Sequence, residues 1–189
     1  SPQALLPTII SRCQKIVLSE GERGSVETEW KEPLIDILRS LPPAGGLGAA
    51  HLAGRLKGLM DQVKAQISDT VAEEIDQNDS ALDESRLKGV LEARTNARLK
   101  EVQAAVFRVM LDWHRDVLIR TSGVSADELV FPSEQAVIEE QSRRHTPGSA
   151  LNAIRTVEEM AARLDRNIPD LQTFDEAFRK LIRSDENAV

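Results

Sequence analysis

The chain has 189 residues, 29% of them charged, with a formal net charge of −7. That length can bury a real core in one or two units, and the negative balance excludes an electrostatic DNA binder. Aromatic residues make up only 3%, with no Tyr, which disfavours a base-stacking platform for nucleic acid. Cys13 is the only cysteine, so no internal disulfide forms, and a reducing cytoplasm is the expected location. No apolar run approaches the roughly 18 residues of a membrane span, and no signal peptide is visible.

The chain begins Ser-Pro-Gln in what reads as the middle of a helix, which points to a fragment of a longer protein. Leu5, Leu6, Ile9 and Ile10 fall at helical spacing and deliver Ser11 and Arg12 to a helix end. Gln14–Leu18 then reads as a β-strand. An arginine at such a junction can reach out of its own subunit, since its charged fork suits phosphate oxygens. The plainer role is a cation favoured at a helix C-terminus. Glu20–Ser25, with two glycines and alternating charge, is a connector.

A helix is expected from about 27 to 41, with Pro33 in its first turn and Leu34, Ile35, Leu38 and Leu41 inward. Pro42-Pro43 stop it, and Gly45-Gly46-Leu47-Gly48-Ala49-Ala50-His51 reads as a flexible loop opening the next helix. That loop lacks the Lys-Ser/Thr of a phosphate loop, and no G-x-x-x-x-G-K-[ST] occurs elsewhere, so these residues offer no nucleotide site. Leu52, Leu56, Leu59, Met60, Val63, Ile67, Val71 and Ile75 keep to steps of three and four and predict one long helix over 48–77. A second, over 82–121, places Leu87, Val90, Leu91, Leu99, Val102, Val106, Val109, Trp113 and Val117 inward. With the short polar turn between them, the two read as an antiparallel hairpin.

The turn itself, Asp76-Gln77-Asn78-Asp79-Ser80, has an acidic look but fails as a calcium loop. Ala81 stands where Gly is needed and Leu87 where a bidentate Glu is needed. His51, His114 and His145 are dispersed, without a cysteine partner for zinc. Glu73-Glu74-Asp76 and Asp83-Glu84 read as solvated faces. No nucleophile is suggested; Cys13 beside Arg12 is read as a small buried side chain.

Three shorter helices close the chain. The first, about 133–145, holds Ala136, Val137 and Ile138. The second, about 147–166, is entered by Thr146-Pro147 and turns Leu151, Ile154, Val157, Ala161 and Leu164 inward. The third, about 172–184, starts at a capping pattern on Thr173 and buries Leu171, Phe174, Phe178, Leu181 and Ile182. The fold class is all-α, a helical bundle with a long hairpin, apart from the helix–strand stub at the start. Residues 97–184 carry more apolar side chains than a small bundle needs, which predicts an exposed apolar surface for a partner.

Leu5-Leu6-Pro7-Thr8-Ile9-Ile10-Ser11-Arg12-Cys13 closely resembles the motif of clamp-loader ATPases of the AAA+ class. There the arginine acts as a trans-acting finger on the nucleotide of the next subunit. Phe107-Arg108-Val109-Met110-Leu111-Asp112-Trp113-His114-Arg115-Asp116-Val117-Leu118, then Leu151 to Leu164, then Asn167-Ile168-Pro169-Asp170-Leu171, is similar to the collar of bacterial DNA polymerase III delta-prime subunits. Two departures stand out: Asp170 lies at or next to the place of an expected Asn, and residues 20–95 do not show the family's short lid.

The resemblance implies three parts: 1–19 the end of an AAA+ domain, 20–95 a lid-like region with a hairpin insertion, and 96–189 an oligomerising collar. It implies a structural and regulatory subunit in DNA replication, with Arg12, flanked by Ser11 and Cys13, as its one catalytic contribution. Partners would be other clamp-loader subunits, with sliding clamp and primer-template DNA met only indirectly and no membrane involved. No cofactor and no metal is expected in these residues. The chain by itself is not an enzyme, while the parent holoenzyme is a nucleotidyltransferase. A gamma/tau-like motor subunit of the same loader, and an unrelated helical adaptor, remain open alternatives.

Overall fold

The periodicity of the two long apolar stripes dictates the architecture. A computed structural model describes residues 29–78, 84–166 and 169–186, with side chains placed outside 76–86 and 183–189. Its α-helices are α1 (Lys31–Arg39), α2 (Gly45–Asn78), α3 (Glu84–Thr121), α4 (Gln135–Ser142), α5 (Pro147–Leu164) and α6 (Asp170–Glu186). Two single 3₁₀ turns, Ala126–Glu128 and Pro132–Glu134, lie between α3 and α4. Among the described residues there is no strand, and the fold is all-α. The stub of residues 1–19, with Gln14–Leu18 as its expected strand, lies outside the described residues. No helix of the described residues is long and apolar enough to cross a membrane.

Helix α1 is amphipathic, burying Leu34, Ile35, Ile37 and Leu38. Pro33 sits in its first turn, where a missing N–H costs no helical bond. Glu32 and Arg39 lie at the ends where the helix dipole favours each charge. The last residue of α1, Arg39, falls two short of the expected 41, because the residue before Pro42 is kept out of the helical region and the prolines cannot continue the helix. Leu41 is nevertheless buried beyond its end.

Helix α2 begins three residues before the expected start, so the glycine stretch is the first turn of a helix and not a loop. Gly45, at φ +68°, turns the chain while its N–H donates to Pro43 O at 2.9 Å. A Cβ on Gly48 would come within 3.3 Å of the Pro43 backbone, so glycine lets the helix close onto the preceding segment. All eight stripe residues from Leu52 to Ile75 are buried. Arg98 on α3 donates to both carboxylate oxygens of Glu74 at 3.0 Å, pairing the end of α2 with the early part of α3 as an antiparallel hairpin requires.

The C-terminal helices complete the bundle with some faces rotated from expectation. Thr146 caps α5 as expected: Ser149 N–H donates to Thr146 Oγ1 at 3.1 Å, and Thr146 N–H donates to Ser149 Oγ at 3.0 Å. The buried face of α5, however, is Ala150, Ala153, Val157 and Met160. Leu151 is 41% exposed and Ile154 only half-buried. Its apolar arc spans more than one face, and contact with α3 and α6 selects the edge bearing small alanines. Thr173 is not a cap: α6 starts at Asp170, and Thr173 lies buried inside it with its N–H on Pro169 O. Leu171 is 51% exposed, and Leu87 on α3 is 36% exposed, both against expectation.

Helix α6 packs along both α2 and α5, and α5 along α3. This accounts for the apolar excess of residues 97–184. Val102, Val106, Trp113, Val117, Phe174, Phe178 and Leu181 are all buried within this chain, while Val109 and Ile182 are half-buried. None of those residues is exposed, whereas Val124, Val130, Leu151 and Leu171 of the same stretch are. One core cluster runs from Trp30 to Leu181, and residue 96 lies within α3.

Candidate functional site

The C-terminal half of α3 carries Trp113-His114-Arg115-Asp116, of which all but Arg115 are buried. Helical geometry spreads these four around α3, so they meet different neighbours. Asp116, fully buried, accepts from Phe131 N–H at 2.9 Å and from Arg115 at 3.0 Å. Arg115 also donates to Glu128 O at 3.3 Å, so the pair pins the loop carrying the two 3₁₀ turns. Phe131 in turn lies tilted against Trp113, with ring centroids 5.8 Å apart.

Trp113 Nε1 donates to Gln141 Oε1 at 2.9 Å, and Gln141 Nε2 donates to Leu38 O and Leu41 O, each at 2.9 Å. The amide thereby satisfies Leu41 O, just beyond α1, and adds a second donor to Leu38 O, which also accepts from Leu41 N–H at 3.2 Å. Only this amide orientation places a donor at both carbonyls and an acceptor at the indole. One side chain from α4 thus joins α1 to α3.

A second link between α1 and the 3₁₀ segment lies nearer the surface. Arg39 donates in a fork to Glu134, Nε to Oε2 at 2.9 Å and Nη2 to Oε1 at 2.7 Å, and its Nη1 reaches Glu32 and Asp36. The hydrogen bonds to Glu134 first, then to Glu32 and Asp36, hold the guanidinium protonated and raise its value further. They hold the Glu134 carboxyl below its ordinary range. Arg120 similarly joins α3 to Glu139 of α4 at 3.0 Å.

Beside Gln141 is a small cavity of about 10 Å³, lined also by Leu41, Pro42, His114, His145, Ala153 and Leu181. That is near the lower limit for one water molecule. His114 is 4% exposed and its Nε2 has no hydrogen-bond partner. Burial, with a smaller contribution from His145, lowers its pKa from 6.5 to about 4. His145 places Nδ1 3.1 Å from Ser149 Oγ.

In this constellation the Trp113–Gln141 network is fully hydrogen-bonded, whereas His114 Nε2 beside it has no partner. Among the described residues no group of three or more His, Cys, Asp or Glu side chains is placed to hold a metal ion. Its chemistry is that of a structural junction carrying one buried base. The sequence-derived site Ser11-Arg12-Cys13 lies outside the described residues, so the structure brings nothing to it. Sequence reasoning passed over Gln141, Asp116 and the buried state of His114. A signal existed for Gln141, which follows Ile138 by three residues and so shares its buried face.

No family model matches the chain, and neither a curated protein nor a solved structure matches it. What the fold defines is an all-α bundle built on a long helical hairpin.

Proposed function

We propose that this chain is the helical, assembly-forming part of a clamp-loader subunit of the delta-prime type, contributing Arg12 to the nucleotide of a neighbouring ATPase subunit. The observation that carries the reading is a combination of sequence and packing. The Leu5–Cys13 motif precedes residues whose described elements are all helices or 3₁₀ turns, and the described parts of the stretches that resemble a collar fall on α3, α5 and the start of α6, where α5 packs against both of the others. In such an assembly Arg12 would stabilise charge developing on the γ-phosphate. Fingers of that kind contribute about 10³ to 10⁵ in rate.

The subunit contact in this reading uses the outer surface of α5 and α6. That surface carries the pairs Arg163–Glu176 and Lys180–Glu159, with exposed Leu151 and Leu171 on the same helices. A charged contact of this kind weakens with added salt. The test mixes the purified chain with the C-terminal domain of the cognate motor subunit and follows co-elution at low and high ionic strength. A complex at low salt that dissociates at high salt supports the reading. Absence of a complex at tens of micromolar at either ionic strength rejects it. The helical adaptor, favoured by a hairpin of 34- and 38-residue helices, would then be the better account. In the reconstituted loader, Arg12→Ala should slow ATP hydrolysis, and unchanged hydrolysis would remove Arg12 from the mechanism. Arg12→Lys should rescue poorly, because an ammonium lacks the fork.

A further inference from the structure

The cavity beside His114 is placed where four helices meet the segment that follows α1, and its chemistry depends on one proton. A neutral imidazole sits there with Nε2 unpartnered. An imidazolium would carry a charge and a donor on each nitrogen, which a cavity with room for at most one water molecule solvates poorly.

Among the described residues that line the cavity, none carries a counter-charge for His114. The segment after α1 contributes Leu41 and Pro42, α5 contributes Ala153, and α6 contributes Leu181, none of them ionisable. From α4 comes Gln141, whose amide is committed to Trp113, Leu38 O and Leu41 O. His145, just after α4, is itself a base, and protonated it would repel a charged His114. On α3 itself, Asp116 is bonded to Phe131 N–H and Arg115, and Arg115 reaches Glu128 O.

We propose that the His114–His145 cavity is an acid-sensitive latch, closed while His114 is neutral and opened when that ring takes a proton and must reach water. Opening separates the walls of the cavity, so α1, α4 and α6 loosen from α3, and the Gln141 bonds are lost with them.

The direction follows from linkage. A base whose folded-state value lies below its unfolded value favours folding when neutral. Stability is full above about pH 6.5, falls as pH drops toward about 4, and levels below that. Within that window the folding equilibrium changes about tenfold for every pH unit, so the whole window amounts to roughly two to three powers of ten. Glu134, Glu139 and Glu176 are lowered from 4.5, so their acid effects begin below the upper part of this window.

The experiment follows urea unfolding of the full 189-residue chain by Trp fluorescence from about pH 7 down to pH 4.5. The folding equilibrium of the wild type should weaken roughly tenfold per pH unit below pH 6.5, and His114→Gln should remove most of that dependence. An imidazole NMR titration of the folded wild type gives the same answer without a variant. His114 should stay neutral through pH 5.5–6.5, where an ordinary histidine takes up its proton. A wild-type stability flat across the window, an unchanged slope in His114→Gln, or a His114 resonance titrating near 6.5 in the folded protein would each overturn the latch.

Discussion

Replacing Gln141 with methionine tests whether the junction of α1, α3 and α4 depends on hydrogen bonds or on filled volume alone. Methionine is close in length and unbranched, so packing changes little. Three bonds are lost: from Trp113 Nε1, to Leu38 O and to Leu41 O. Leu38 O keeps a bond from Leu41 N–H at 3.2 Å, so the groups losing their side-chain partner outright are the indole N–H and Leu41 O. Each buried polar group left unpaired costs about 1–3 kcal/mol, and burying a thioether in place of an amide offsets part of this. The expected net loss is about 2–4 kcal/mol. For a chain of this size that lowers Tm by roughly 4–16 °C.

Urea unfolding followed by Trp fluorescence reads the change directly, since Trp113 and Trp30 are both buried. The midpoint should fall with an unchanged slope. The same substitution in a Trp113→Phe background should cost less, because the indole donor is already gone. A loss below about 1 kcal/mol, or identical losses in the two backgrounds, would show that the network contributes little beyond shape.

Other outcomes follow from the same structure. Phe178→Ala should destabilise by about 3–5 kcal/mol in thermal or urea unfolding, since its ring is 1% exposed where α6 packs on α2 and α5. Gly58→Ala, in mid-α2 with open space around a new Cβ, should stabilise by roughly 0.5–1 kcal/mol, whereas Gly123→Ala should cost about 1–2 kcal/mol because φ there is +76°. Glu134→Gln should remove a carboxylate whose folded value is depressed by Arg39. Its stabilisation is present above pH 4.5 and lost as pH falls through the folded value, so the stability gap between wild type and variant should hold above pH 4.5 and shrink below it.

Helix identity was written into local periodicity. Leu52 through Ile75 sit at steps of three and four, and every one of them is buried, because only one face of so long a helix can meet the core. Thr146-Pro147 likewise marks its own helix start, since the cap and the first-turn proline act within a few residues. Which face turns inward is a different matter where the apolar arc is wide. On α5, Leu151 and Ala150 are both apolar and adjacent, and only close approach to α3 and α6 selects the smaller side chain. On α6, Thr173 offers a sound capping pattern, yet Asp170 starts the helix a turn earlier and carries Thr173 into the interior. The same limit applies to surplus. Residues 97–184 pack on one another and also on α2, dozens of positions upstream, so part of the cover for their apolar side chains comes from outside the stretch. The Gln141 junction and the unpartnered His114 are further still from local signal. Their partners lie on separate helices, with about a hundred residues between Gln141 and the Leu38 and Leu41 carbonyls it serves. Periodicity along one helix carries no record of a neighbour that far away, so hydrogen bonding and desolvation at this junction are decided only when the helices pack.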